Sequence, residues 1–109
     1  MKTHINLTHH SFFNLQGVSN NNSINNHLLY INSDSYTPVR ADMIPNGAIE
    51  EVKGSPFDFR KPTKIGERID TDNEQLKFGN GYDHNFILNS KNTYIDQYPI
   101  NVRKLDEIF

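Results

Sequence analysis

The sequence predicts a mainly β fold, a β-sandwich or a piece of one, with short strands, many turns and at most one short helix. Three observations carry that prediction. Apolar residues occur in short runs or in alternation with polar ones, at the period of a strand. Turn signals interrupt them repeatedly, at Pro45-Asn46-Gly47, Gly54-Ser55-Pro56 and Gly79-Asn80-Gly81. Helical spacing of apolar residues shows in one place, at Ile65 and Ile69. At 109 residues the chain is one domain at most. A domain of this size buries roughly 60–70% of its unfolded surface, so its core is limited.

Taken in order, Ile5 and Leu7 alternate with polar neighbours and suggest a short strand. Phe12, Phe13 and Leu15 form an apolar cluster that ends at Gly17. Ser19 to Asn26 is an Asn/Ser stretch with the composition of a surface loop. Leu28 to Ile31 is β-prone and runs into the polar Asn32-Ser33-Asp34-Ser35. Tyr36 to Val39 is a further extended piece, with Pro38 favouring a strand end. Ile49 and Val52 flank another possible strand, and Phe57-Asp58-Phe59 alternates. The one helix expected lies in Lys61 to Ile69, with Pro62 in its first turn. Phe86-Ile87-Leu88 has the look of a buried strand. The tail from Tyr94 to Phe109 is only weakly periodic and receives no element.

Composition excludes several classes. The formal charge is -2 with mixed signs throughout, and no basic stripe exists to neutralise phosphates, so nucleic acid is not an expected partner. Without cysteine there are no disulfides and no thiolate metal sites. No apolar run approaches the ~20 residues of a membrane span, and Met1-Lys2-Thr3-His4 lacks a signal-peptide core. No membrane partner is expected, and a cytoplasmic setting is the default expectation.

Four of the five histidines stand near potential chemistry: His4, His9, His10 and His84, the last beside Asp83. An imidazole titrates near neutrality and can give or take a proton at physiological pH. On a strand His9 and His10 point to opposite faces, so one of them at most enters a given cleft. A zinc site from His9, His10, Asp83 and His84 has the right ligand types, but the spacing matches no metal motif. The Phe12-Phe13 and Phe57-Phe59 pairs are most simply core residues; the alternative is an apolar wall for the C–H face of a sugar. Composition and spacing alone stop at a β-rich domain with a few placed histidines.

Four ordered blocks carry the reading further. Asn6-Leu7-Thr8-His9-His10-Ser11-Phe12-Phe13-Asn14-Leu15, followed by Gly17, is similar to the N-L-T-N-H-S-Y-F-N-L-x-G signature of the aldose 1-epimerase (galactose mutarotase) family. Asp34-Ser35-Tyr36-Thr37-Pro38-Val39 with Ile44-Pro45-Asn46-Gly47, then Phe57-Asp58-Phe59-Arg60-Lys61-Pro62, then Gly81-Tyr82-Asp83-His84-Asn85-Phe86 follow at family-like spacing. The resemblance covers Ile5 to Leu88. His9 stands where the family has asparagine and Phe12 where it has tyrosine.

The resemblance implies a fragment of a galactose-mutarotase-like β-sandwich (supersandwich). Residues 1–109 would form a single partial domain, an interior segment of that sandwich with a divergent tail at 89–109. It implies an isomerase that interconverts the α and β anomers of galactose, glucose and related aldohexoses by acid–base ring opening, with no cofactor. Carried over by position, His10 is the general acid and Asp83 binds sugar hydroxyls. The family's catalytic glutamate has no matching block here, and Glu107 stands in the wrong context. The chain is therefore expected to be an incomplete enzyme. Two other readings compete: a non-catalytic carbohydrate-binding module, and an interaction domain that pairs its exposed sheet edges with a complementary chain or with itself.

Overall fold

The computed structural model describes residues 2–5, 10–19, 23–89 and 100–103, the last four by backbone alone. Among the described residues six strands make two antiparallel three-stranded sheets. In the first, β1 (Leu28–Ile31) lies between β4 (Thr63–Lys64) and β6 (Ile100–Arg103). In the second, β2 (Ser33–Thr37) lies between β3 (Glu50–Glu51) and β5 (Asn85–Leu88). Asn32 alone separates β1 from β2, so one nearly continuous run of chain passes through the centre of both sheets. The β-rich prediction holds, and the tail contributes β6, pairing Ile100 to Arg103 against Ile31 to Leu28.

The register of β2 explains why Asn32 to Ser35 has turn-like composition yet forms a strand. Ser33 faces Leu88 and Ser35 faces Ile87, which leaves Asp34 as the extra residue of a β-bulge. The Ser33 hydroxyl, buried, lies within hydrogen-bond reach of the carbonyl oxygens of both Ser35 and Ile87, and its one proton serves this pair of acceptors at the bulge. The expelled Asp34 carboxylate accepts from Arg60 Nη1 at 3.1 Å and from Asn89 Nδ2 at 3.0 Å. Polar side chains thus serve the strand's irregularity, and a propensity reading places them in a turn.

Among the described residues the single α-helix, α1, is Glu74–Gly79, and Lys61 to Ile69 holds only β4 and a 3-10 turn at Ile65–Glu67. This corrects the expected helix position. The cause is capping. Asn73 accepts at its side chain from the N–H groups of Gln75 and Leu76, and Asn80 closes the helix at φ 49° with its N–H directed to the Leu76 and Lys77 carbonyls. Of the helix residues only Leu76 is buried, so no apolar period announces it.

The core is aromatic. Tyr36, Val52, Phe57 and Leu76 form its centre, with Tyr82 and Phe86 packed against it. Tyr36 and Phe57 stack with ring centroids 4.5 Å apart and an interplanar angle of 12°. Glu50 accepts from the Tyr36 hydroxyl at 2.8 Å, and burial together with that carboxylate pushes the phenol far above its ordinary pKa. Phe59 is buried beneath Arg68, whose guanidinium carbon lies 5.4 Å from the ring centroid. The prediction for Phe57 and Phe59 as core therefore holds. That for Phe12 and Phe13 does not: they are 89% and 70% exposed. Ile5 lies outside any strand, and Leu7 falls outside the described residues. No helix among the described residues is long and apolar enough to cross a membrane.

Candidate active site

His10 and Asp83 reach the surface on different parts of the fold. His10 sits on the irregular segment 10–19, before β1, and is exposed. Its ring lies 4.6 Å from that of Phe12, centroid to centroid, at 31°. Residues i and i+2 share a side in extended chain, so the two rings form one small face. His9 lies outside the described residues. Segment 10–19 then closes in a turn: the Gly17 N–H bonds the Asn14 carbonyl at 3.1 Å, and the Gln16 N–H bonds Asn14 Oδ1 at 3.1 Å. Gly17 at φ 80° takes the left-handed conformation the turn needs.

Asp83 lies in the loop between α1 and β5 and is exposed. Its carboxylate takes part in no hydrogen bond or ion pair among the described residues, so its lone pairs are available to a ligand's hydroxyl groups. No such bond joins it to His10 either. Its neighbour His84 fixes the backbone beneath it. The His84 ring stands edge-on to Phe57, at a centroid distance of 4.6 Å, and to Tyr36, at 5.9 Å. The Asp83 N–H donates to His84 Nδ1 at 3.3 Å, and His84 Nε2 meets Gln75 Oε1 at 3.2 Å. The hydrogen-bond pattern therefore assigns the neutral tautomer with its proton on Nε2. Burial lowers the His84 pKa, partly opposed by the Asp83 charge. His84 is thus a neutral support, and Asp83 beside it is the group that faces solvent.

Gln75 completes that support. Its Oε1 also accepts from the Val39 N–H at 2.7 Å, and its Nε2 donates to the Val39 carbonyl at 3.0 Å. The side-chain amide pairs with Val39 as a neighbouring strand would, and ties α1 to the chain beyond β2. Gly79 gives room for the arrangement, since a Cβ there would come within 3.0 Å of His84 Cε1. Gln75 escaped the sequence reading because nothing in its neighbourhood marks it; its role depends on a contact across 36 positions.

Between the two positions the block Phe57 to Arg60 is held by an ion-pair fork. Arg60 Nε and Nη2 meet the two oxygens of Asp58 at 2.9 and 2.8 Å, while Nη1 reaches Asp34. The Arg60 guanidinium holds the Asp58 carboxyl below its ordinary range. Two open depressions, about 310 and 390 Å³ in volume, lie beside Asp58 and Arg68 and along α1; neither is lined by His10 or Asp83. Among the described residues no group of three His, Asp or Glu side chains is arranged to hold a metal ion.

The chain is similar to known proteins in both sequence and fold. The family model of aldose 1-epimerase matches residues 1–106, and so runs into the tail beyond the four sequence blocks. Galactose mutarotase of Homo sapiens is 44% identical over 86 residues, covering 79% of this chain and 23% of that protein. Aldose 1-epimerase of Escherichia coli K12 is 39% identical over 87 residues, covering 80% of this chain and 24% of that one. Among solved structures, galactose 1-epimerase from Lactobacillus acidophilus NCFM superposes with a TM-score of 0.64 at 36% identity, over 74% of this chain and 23% of that one. The chain thus spans about a quarter of the length of the relatives it matches. With the family model matched along nearly its whole length, the chain belongs to the aldose 1-epimerase family.

Proposed function

We propose that this chain carries the acid-bearing part of a site that opens and recloses the ring of galactose, glucose or a related aldohexose. The observation that supports it most is the placement of Asp83: an exposed carboxylate with no hydrogen-bond or ion-pair partner among the described residues, on a loop that the half-buried His84 anchors to Gln75. Such a group orients a sugar by accepting its hydroxyl protons. In the proposed reaction His10 gives its proton to the ring oxygen as the bond from that oxygen to the anomeric carbon breaks. A base takes the proton of the anomeric hydroxyl, whose oxygen becomes the carbonyl of the open aldehyde. Rotation about the bond between the first two carbons and reversal of both proton transfers give the other anomer. No redox change occurs and no cofactor enters. Phe12 beside His10 offers an apolar face to the sugar's C–H groups.

The base of the family mechanism is a glutamate, and no glutamate of this chain stands in a matching block. The chain alone is therefore expected to bind galactose saturably and to accelerate its mutarotation little. Calorimetry with galactose and polarimetry on freshly dissolved α-galactose test the two halves. Binding lost in Asp83→Ala supports the site. Folded protein that gives no heat with galactose or glucose overturns it. Rapid turnover abolished by His10→Ala would instead show that the chain supplies its own base.

A further inference from the structure

The third feature of the site is a histidine that the motif does not contain. His27, immediately before β1, is 1% exposed. Its backbone is fixed on both sides: the N–H donates to Ile24 O at 2.9 Å, and the carbonyl accepts from the Ile65 N–H at 3.0 Å. Its ring reaches back across 12 positions, where Nε2 accepts from the Leu15 N–H at 2.9 Å. That bond requires a lone pair on Nε2, so the ring is neutral with its proton on Nδ1. Nδ1 has no partner among the described residues, although it is fully buried. An unsatisfied buried donor is costly, and a Phe or Leu would fill the space without that cost. What a histidine supplies here, and a Phe or Leu would not, is the Nε2 acceptor.

The segment that donates this bond has little packing of its own. Residues 10–19 are exposed apart from the half-buried Gln16, and Phe12 and Phe13 bury little surface. Hydrophobic burial does not fix its position, so directional bonds must contribute to it. We infer that His27 is a positioning residue, whose buried ring holds the segment carrying His10 in a fixed orientation against the start of β1. The functional weight of this inference rests on the proposed role of His10; its geometry does not.

Two variants separate the acceptor from the fold. His27→Phe fills the volume and removes the acceptor, whereas His27→Gln keeps one at similar reach. Leu15→Pro removes the donor and leaves His27 untouched; Leu15 is the second residue of the Asn14–Gly17 turn, a position proline favours. Residual dipolar couplings on the full chain read the orientation of amides 10–17 against those of β1 and β2. In the native chain and His27→Gln, the segment is expected to fit the alignment of the strands, and Leu15 exchange is slow. In His27→Phe and Leu15→Pro the segment ceases to fit while the strands keep their shifts, and Leu15 exchange in His27→Phe rises about tenfold. If His27→Phe fails to fold, Leu15→Pro decides. A segment that stays aligned in these variants, or is unaligned in the native chain, overturns the inference. A galactose titration on the same samples separates the two claims. Native couplings as expected but no response to sugar would defeat the proposed function and leave the positioning role standing. A His10 response to galactose unchanged in a variant whose segment is released would defeat the positioning role alone.

Discussion

Replacing Gln75 by Leu removes a side chain that joins α1, the chain just beyond β2 and the support of Asp83. Three hydrogen bonds are lost: from the Val39 N–H, to the Val39 carbonyl, and from His84 Nε2. Val39 is 6% exposed, so water cannot readily replace its two backbone partners. Each orphaned buried group costs about 1–3 kcal/mol. Leu and Gln differ little in helix propensity, so that contribution is negligible. The net loss is roughly 2–4 kcal/mol, which for a domain of this length lowers Tm by roughly 10–25 °C. The chain has no Trp, so urea unfolding is best followed by far-UV circular dichroism. Gln75→Glu is the companion variant: it keeps the Oε1 acceptor and loses the Val39 carbonyl's donor, and should cost less. Its charge beside Nε2 also favours the imidazolium form of His84, so the His84 titration moves upward. A Gln75→Leu protein within about 0.5 kcal/mol of the native chain would refute the role given to this node.

Three further outcomes follow from the same contacts. Because burial lowers the His84 pKa, the native state binds fewer protons than the unfolded chain; stability is complete above the unfolded value of 6.5 and is lost as pH falls from there through the folded value. Urea midpoints across that range should slope in the native chain and flatten in His84→Phe. Asp58, held low by Arg60, contributes stability above its unfolded value of 3.8 that disappears as pH falls through its folded value, and Asp58→Asn should remove that part of the acid unfolding curve. Phe57→Ala should cost about 3–5 kcal/mol, since the ring is fully buried, whereas Phe12→Ser should change stability by less than about 0.5 kcal/mol; similar losses at the two positions would contradict the exposure described.

The contrast between those phenylalanines shows what sequence reading reaches here. Phe57 and Phe59 alternate across Asp58 between turn residues, and that local pattern suffices to bury both. Phe12 and Phe13 are adjacent, and whether either is covered depends on surface that their own neighbours do not supply. Strand β1 was legible because Leu28 to Ile31 is β-prone throughout. Strand β2 was legible only in part, because its bulge is served by Ser33 and Asp34, whose types signal turns. The helix was misplaced because capping by Asn73 and Asn80, with one buried leucine, leaves no apolar period, while Ile65 and Ile69 mimic one. For the proposed site, a motif alone points to His10 and Asp83. The contacts of His27 with Leu15 and of Gln75 with Val39 span 12 and 36 positions, and no local spacing encodes them.

In the proposed site His10 and Asp83, carried on separate segments, meet one aldohexose. The most direct measurement is a galactose titration followed by NMR at the His10 ring and the Asp83 carboxyl, with galactitol, which has no ring, as the control. Saturable shifts at both residues with one common dissociation constant, lost in Asp83→Ala and much weaker with galactitol, are the predicted result. Shifts at neither residue in a folded chain, or a galactitol response equal to that of galactose, would contradict it.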